Sequence, residues 1–238
     1  MPQAIGRDQR LLVDQYDISS YLTDIKASKD VEMYDTTTMT GTSKTYQPGL
    51  KNGKLSISYL WDQAAGGSDP VLQAALGSAA GQVVSYFPVG YAAIGNRAEL
   101  LSSRLTNFEA GAGVADLLKG SSEIMSDGDM DGGVVLSPLT SRTGTGNYAS
   151  VDNGVASANG GVGHLHVTVD NGTALVVKIQ DSADDSSFAD IITFTSIGVV
   201  GSERIALAVG SAVRRYVRAA VTTLTGTAFT FAVTFARR

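Results

Sequence analysis

The chain contains no cysteine. Disulfide bonds, thiolate metal sites and cysteine nucleophiles are therefore excluded, and the absence is compatible with synthesis in a reducing cytoplasm. The 238 residues include only 5 prolines and 2 histidines, and charged residues make up only 17%. So little charge beside 43% hydrophobic residues is atypical of a disordered chain and is enough for a buried core. The length fits one large domain or two small ones.

Long apolar segments are also missing. No run of 18 apolar residues occurs, and no apolar stretch follows the first residues, so neither a membrane span nor a secretion signal is predicted. The net charge is −5, and it is unevenly distributed, with 16 acidic and 10 basic residues in 1–140. An acidic first part argues against tight DNA binding, which requires clustered cations. It is compatible with a surface along which DNA slides without sticking.

What the sequence does contain is a series of strand signals with 27 glycines between them. The clearest predicted strand is 54–62, where apolar residues alternate with small polar ones. One face of it carries Leu55, Ile57, Tyr59 and Trp61. Further strands are predicted at 11–21, 31–34, 82–88, 97–108, 113–122 and 133–139. Residues 114–119 also fit a helical turn.

One short helix is predicted over 69–77. Ser68 or Asp69 fits the N-cap, Pro70 fits the first turn, and Gly77 fits the end. The helix is about two turns long, so packing against the sheet must stabilise it.

A threonine-rich segment, 35–53, has no helical period and contains the turn signal Pro48-Gly49. Connections inside compact domains usually have about 4–6 residues, and much longer ones are usually functional. We therefore expect this loop to move or to contact another molecule.

The composition changes near residue 141, where charge falls and small residues dominate. We predict one domain over 1–140 and a second, a small all-β sandwich, over 141–238. In the second, Asn171-Gly172 separates two alternating segments, which is typical of a tight β-hairpin. Later strands are predicted at 191–197, 204–209, 215–221 and 229–235.

Three aspartates are the candidates for a metal site. Asp127, Asp129 and Asp131 occupy the first, third and fifth positions of a calcium-loop pattern, and Gly132 follows at the sixth. The twelfth position, which needs a bidentate glutamate, is Pro138, and no helix flanks the segment. The favoured interpretation is an acidic turn, and no cofactor is predicted.

The two histidines, His164 and His166, share one face of a predicted strand, which is compatible with two metal ligands. No nearby carboxylate completes such a site. Because Leu165 and Val167 alternate with them, we predict that the histidines lie on a solvated or interface face.

Five arginines form the basic part of the second unit. Arg214, Arg215, Arg218, Arg237 and Arg238 are compatible with a phosphate patch, but a solvated or subunit-pairing face is the favoured interpretation.

Enzymatic motifs are missing. There is no Gly-x-Ser-x-Gly elbow, no phosphate loop with the required spacing, and no sign of a catalytic triad. We predict that the protein is not an enzyme and that it functions through its surfaces.

Residues 17–25 (DISSYLTDI), 35–38 (DTTT), 44–53 (KTYQPGLKNG) and 53–59 (GKLSISY) together resemble the major tail protein, or tail tube protein, family of long-tailed bacteriophages. The order of these segments carries the resemblance, which extends over residues 10–140. The last hundred residues are similar to accessory C-terminal β-domains of some tube proteins.

The resemblance implies a tail-tube-type β-sandwich or barrel with one short helix, followed by a C-terminal β-sandwich. It implies hexameric rings that stack into a tube, and a lumen through which DNA is ejected without specific binding. Implied partners are copies of the chain, the tape measure, the tail terminator and the distal tail protein; the implied location is the virion, with synthesis in the host bacterial cytoplasm. The loop 35–53 would contact the neighbouring ring through Thr36, Thr37, Thr38, Lys44, Tyr46, Pro48 and Leu50.

Other functions stay open. Another phage structural protein, such as a capsid decoration or head–tail joining subunit, would form rings or trimers that do not polymerise. A carbohydrate-binding or adhesion module would need exposed aromatic side chains, and the single tryptophan, Trp61, is predicted on a core face.

Overall fold

The structure is a computed structural model, and it describes residues 5–195 and 197–238. Within these residues the protein is mostly β-structure, as predicted, with one α-helix, α1 (Ser68–Ala75). The strands in chain order are β1 (Arg10–Val13), β2 (Tyr16–Asp17), β3 (Leu22–Asp35), β4 (Tyr46–Leu60), β5 (Gln82–Phe87), β6 (Arg97–Gly111), β7 (Lys119–Ser126), β8 (Asp131–Arg142), β9 (Gly146–Asn147), β10 (Val151–Asp152), β11 (Gly161–Ser182), β12 (Ala189–Thr193), β13 (Gly201–Ala206) and β14 (Tyr216–Arg237).

These strands join in one sheet of fourteen strands within the described residues. Its main path runs β12–β11–β14–β8–β6–β5–β1–β2, and β7, β4 and β3 continue from the outer half of β6. Every pairing between these strands is antiparallel. The sheet curves around two hydrophobic cores, one for each half of the chain.

The first core forms where the predicted alternation of β4 meets α1. Leu55, Ile57 and Tyr59 are buried, whereas the serines between them are half-buried. Val71 and Leu72 of α1 pack against the same cluster. Each buried side chain of this kind stabilises the fold by roughly 1.5–3 kcal/mol, which explains why a two-turn helix persists here.

The helix begins and ends slightly before the predicted bounds. Its N-cap is Gly67. A glycine is needed at this position because a Cβ would lie 2.6 Å from the carbonyl oxygen of Asp62. The Ser68 hydroxyl donates to the carbonyl of Leu60 (2.8 Å) and accepts from the amide of Asp62 (3.0 Å), so it connects α1 to β4 instead of capping the helix. Gly77 follows the helix with a φ of +70°, as expected for a residue that ends it.

The second core is enclosed by a ribbon of two 22-residue strands, β11 and β14, which pair along their whole length. Straight strands of this length would span about 70 Å, far more than a small domain. The ribbon bends where Gly226 meets Gly172: at Gly226, with a φ of +137°, a Cβ would lie 2.2 Å from the Gly172 Cα. Residues on both sides of the bend, including Leu165, Val177 and Phe231, therefore share one core.

The predicted hairpin at Asn171-Gly172 is wrong. The chain passes through these residues as one strand with irregular register, and neither residue has a positive φ. Gly172 is needed for space, because a Cβ there would lie 2.6 Å from the ring of Phe229. The predicted strands 215–221 and 229–235 are likewise two parts of β14.

A third buried cluster joins the two halves. It contains Leu12, Phe87, Ala98, Leu100, Val135, Val162, Ala232 and Ala236, and we call it the seam. Strand β8 pairs with β6 on the first side and with β14 on the second, and it crosses residue 140. The division into domains 1–140 and 141–238 stays a prediction.

Residues 112–118 form neither the predicted strand nor a helical turn. They are the exposed connection between β6 and β7, and β7 begins only at Lys119. Val114 and Leu117, which suggested regular structure, point into solvent. The α-helix of the described chain lacks the length and hydrophobicity needed to cross a membrane.

Candidate assembly surface

A two-stranded ribbon projects from the first half of the molecule. β3 and β4 pair from Leu22↔Tyr59 outward to Asp35↔Tyr46, but the other neighbour of β4, β7, ends at Lys54↔Met125. Residues 28–53, which we call the arm, therefore extend about 25 Å beyond the body of the sheet. The predicted loop 35–53 differs from this arrangement, because residues 46–53 belong to β4 and the loop itself covers 36–45.

One face of the arm is rich in apolar residues, and we call it the apolar face; its charged members are Lys29 and Lys51 near the base and Asp35 near the tip. Ile25 and Ile57 pair and are buried, and the same face continues outward along β3 through Val31 and Met33. Opposite residues share a face, so Pro48 and Tyr46 of β4 join it across from Met33 and Asp35. Val31, Met33 and Tyr46 are 45%, 56% and 51% exposed. The core-facing side of the sheet thus continues into solvent without a cover.

The tip of the arm is held by local hydrogen bonds instead of apolar packing. The amide of Thr36 donates to the carbonyl of Thr45 (2.9 Å), and the amide of Thr45 donates to the hydroxyl of Thr37 (3.0 Å). The Thr37 side chain and amide hydrogen-bond to Asp35, which lowers the pKa of that carboxyl. Met39 is fully exposed at the tip.

All seven predicted contact residues lie on this arm and are exposed. Thr36, Thr37, Thr38 and Lys44 are in the tip, and Tyr46, Pro48 and Leu50 are in β4. Their role in contact between rings stays a prediction. Val31 and Met33 were missed because the sequence indicated only a short strand there; their alternation with charged residues was the available signal.

Ion pairs fix the base of the arm. Lys29 contacts the buried carboxylate of Glu99, which also accepts from Arg97 at 2.7 and 3.0 Å. Lys51 lies 3.6 Å from Asp129. Because Glu99 is nearly inaccessible to solvent, these contacts set the direction in which the arm leaves the body.

A groove of about 430 Å³ lies beside this base, between the arm, β8 and the end of β14. We call it the arm-base groove. Val31 and Met130 supply apolar surface. The charged side chains that line the groove are of both signs: Lys29, Lys51, Arg237 and Arg238 with Asp30, Asp129 and Asp131.

Unpaired strand edges provide a second feature for assembly. Among the residues that the structure describes, β3 pairs with β4 alone, so one edge of a 14-residue strand carries free backbone donors and acceptors. Such an edge readily pairs with another chain.

The three candidate metal ligands are directed to different cations. Asp127 lies 3.1 Å from Arg104, Asp129 pairs with Lys51, and Asp131 accepts two bonds from Arg238 at 2.8 and 2.9 Å. In the described residues, no group of three or more histidine, cysteine, aspartate or glutamate side chains has the arrangement of a metal site. The acidic segment instead neutralises neighbouring basic side chains.

The histidines are fully buried within the chain, so the prediction of a solvated or interface face is wrong. Their strand, β11, has the second core on one side, as Leu165 and Val167 indicated, but the first half of the chain covers the other. Burial lowers the pKa of His166 to about 4. Burial, with smaller effects from His166 and Arg204, also lowers the pKa of His164 well below its usual value.

One hydrogen-bond arrangement gives partners to three of the four ring nitrogens of this pair. His166 Nδ1 lies 2.7 Å from the carbonyl oxygen of Asp14, so Nδ1 carries the proton. His166 Nε2 then accepts from the Ser85 hydroxyl (2.8 Å), whose oxygen accepts from His164 Nδ1 (3.1 Å). His164 Nε2 is buried without a partner in the described chain. Two neutral histidines thus connect the two halves beside the seam.

All five arginines make contacts within the chain, and Arg238 is the one already described with Asp131. Arg214 binds Asp181 at 2.6 and 2.8 Å, and Arg215 binds Asp152 at 2.6 and 2.7 Å. The bond from Arg215 lowers the pKa of Asp152 to about 2. The Arg218 guanidinium lies 3.7 Å from the centre of the Phe188 ring. These contacts use the charges that a phosphate patch would require.

Comparison with known proteins gives structural similarities only. No protein-family model matches the chain, and no curated protein matches it. A chain in the virion of a native gene transfer agent particle is 13% identical with a TM-score of 0.44, over 53% of this chain and 96% of that one. The Dit protein of phage SPP1, described as a hub of the adsorption apparatus in phages that infect Gram-positive bacteria, is 11% identical with a TM-score of 0.40, over 96% and 98%.

A chain in the activated baseplate of phage p2 is 8% identical, with a TM-score of 0.35, over 97% of this chain and 98% of that one. Similarity at these levels carries no argument about what this protein does. These similar structures come from the virion and the tail of gene transfer agent particles, from a phage hub protein and from a phage baseplate.

Proposed function

We propose that this chain is a structural virion protein, the tail tube subunit of a long-tailed bacteriophage, which forms stacked hexameric rings around the conduit for DNA ejection. The observation that carries the proposal is the apolar face of the arm, through which the core-facing side of β3 and β4 continues into solvent. Its sequence resembles the tail tube family in the same segments.

Physical reasons favour further copies of this chain as the molecules that cover the apolar face of the arm. Exposed contiguous apolar surface usually marks an interaction site, and an unpaired edge such as that of β3 favours pairing with another strand. The arm leaves from one end of the sheet, so a copy that covers it is displaced along the strands. A contact between different surfaces of identical copies forms a ring when the rotation between copies closes and a filament when it does not; a repeated displacement along the strands does not close, and it therefore produces a filament.

The further partners follow from the same proposal. Rings at the ends of the tube meet the tail terminator and the distal tail protein, and the tape measure occupies the lumen before ejection. The acidic first half of the chain faces passing DNA, which it repels instead of binding. The protein is made in the host cytoplasm and is located in the virion.

Electron microscopy of the purified protein tests the proposal. We expect the wild-type chain to form hollow rods of constant diameter at high concentration. Met33→Asp places a charge on the apolar face of the arm, and we expect it to abolish rod formation while the thermal unfolding of the monomer is unchanged. Val209→Asp, at a valine that is 82% exposed outside the arm, is the matched control and keeps the rods.

Three outcomes would contradict the proposal. Wild-type protein that stays monomeric at high concentration would remove its basis. Closed rings that never stack would indicate a head–tail joining or capsid decoration subunit. Clear binding on a glycan array without self-association would indicate an adhesion module.

A further inference from the structure

The connection between β6 and β7 is an apolar protrusion. Residues 112–118, which we call the apolar tip, contain Val114, fully exposed, and Leu117, 69% exposed. Asp116 is the only charged residue of the tip, and no cation pairs with it in the described chain. The amide of Asp116 donates to the carbonyl of Gly113 (3.0 Å), which closes the turn that presents both apolar side chains.

The apolar tip and the arm lie at opposite ends of the same strand. In β4, Leu60 pairs with Lys119, which directly follows the apolar tip. At the other end, Lys54 pairs with Met125 and directly follows the arm. The body of the sheet between these two points is about 20 Å long. A copy shifted along the strand direction therefore brings its apolar tip to the end of the sheet from which the arm of the first copy projects.

The surface that meets the tip there is the arm-base groove. Val31 of the arm and Met130 before β8 supply its apolar sides. Arg237 at its edge hydrogen-bonds only to uncharged oxygens, among them the Val155 carbonyl (2.7 Å) and the Ser157 hydroxyl (3.2 Å). No carboxylate of the described chain forms an ion pair with Arg237, so its charge is available to an acidic group from outside.

We propose that the apolar tip of one copy seats in the arm-base groove of the next copy, with Val114 and Leu117 against Val31 and Met130 and with Asp116 facing Arg237. The inference rests on the proposed stacking of copies and identifies the surfaces that make it. The tip has two exposed apolar side chains beside one anion, and the groove offers the apolar surface of Val31 and Met130 beside Arg237. Two carboxylates of the groove already have basic partners, Asp129 with Lys51 and Asp131 with Arg238, whereas Asp30 also lines the groove without an ion pair in the described chain.

Engineered cysteines test the contact directly, because the chain has none of its own. Val114→Cys with Val31→Cys places one thiol on the tip and one in the groove, too far apart within one copy for a disulfide. On mild oxidation of assembled protein we expect a ladder of covalent oligomers. Each single variant produces dimers at most, and Val114→Cys with Val209→Cys is the control that produces no ladder.

A charge introduced into the tip gives a second measurement. We expect Val114→Asp to raise the protein concentration needed for rods at least about tenfold, because the carboxylate would be buried against Val31 and Met130. Its melting temperature stays that of the wild type, since Val114 contacts solvent in the monomer.

The outcomes separate this inference from the proposed function. If the wild type forms rods but the variant with Val114→Cys and Val31→Cys gives no ladder, the tip–groove contact is overturned and the tube proposal stands. Rods that form equally well with Val114→Asp do the same. Wild-type protein that never forms rods overturns both. A ladder, together with weakened assembly of Val114→Asp, supports the contact.

Discussion

The arm and the β11–β14 ribbon are both long antiparallel ribbons, yet one is exposed and the other is buried. The β11–β14 ribbon bends at Gly172 and Gly226, so its two halves cover each other. The arm does not fold back over itself, and its apolar face continues past the body, with a bulge after Val31. Strand pairing therefore does not decide burial. A ribbon that folds over itself completes its own core, and one that stays straight depends on another surface.

The largest expected difference concerns one aromatic side chain in each ribbon. Phe231→Ala removes a fully buried ring from the second core, and we expect it to lower the free energy of unfolding by about 3–5 kcal/mol. Tyr46→Ala removes a ring that is half exposed in the arm, and the change is expected within about 0.5 kcal/mol. Denaturant titration of both monomers measures the two values, and equal losses would refute the comparison.

The buried histidines beside the seam are expected to respond to pH differently from the arm. The pKa of His166 in the folded protein is about 4, below the unfolded value of about 6.5. The folded state thus binds fewer protons than the unfolded state. The stability that neutral His166 contributes is therefore fully present above about pH 6.5, and it is lost as the pH falls towards 4. One pKa unit corresponds to about 1.36 kcal/mol, so the loss from His166 reaches about 3 kcal/mol.

Urea titrations between pH 5 and 6.5 measure this slope. Two charged groups lie nearby: Arg204 opposes protonation of His164 and so acts in the same direction, whereas burial raises the pKa of Asp14, which contributes with the opposite sign. We expect the slope to flatten in a variant with both His164→Gln and His166→Gln and to persist in Met33→Asp. An unchanged slope in the double histidine variant would mean that other groups cause it.

The next largest loss of stability is expected at the bend of the β11–β14 ribbon. At Gly226→Ala, the added methyl group would meet Gly172 in a backbone conformation that L-residues rarely adopt, so we expect a loss of about 2 kcal/mol or more. Gly111→Ala is the matched control, because no atom lies within 4 Å of its Cβ position and its φ is ordinary. Thermal unfolding distinguishes them; a neutral Gly226→Ala would show that the ribbon can bend differently.

The same comparison shows how far the sequence predicts this fold. Local alternation identified residues 54–60 of β4 and the buried side chains among them, because each strand face there has one environment; residues 46–53 of the same strand were predicted as a loop. Asn171-Gly172 was misread as a hairpin because the need for glycine comes from Phe229 and Gly226, more than fifty residues away. His164 and His166 were misplaced for the same reason, since their cover comes from Asp14 and Ser85.

The candidate assembly surface was predicted in part. The threonine-rich composition and the length of 35–53 located the projecting segment, but its paired strands and single apolar face depend on register, which a bulge after Val31 shifts by one residue. The apolar tip was mistaken for regular structure, because apolar residues in a sequence usually indicate burial and here they are exposed.

The smallest effect concerns order within the arm. Thr37→Val removes the hydroxyl that accepts from the amide of Thr45, and we expect the global stability to change by less than about 1 kcal/mol. The amide of Thr45 should nevertheless exchange with solvent several-fold faster in the monomer, because local hydrogen bonds and not apolar packing hold the tip of the arm. Hydrogen exchange followed by NMR measures this, with Thr42→Val, an exposed threonine of the same tip, as the control. If both variants leave Thr45 protected, the tip is held by contacts other than these. If the protection lost in Thr37→Val returns when rods form, a neighbouring copy supplies the order that the arm lacks on its own.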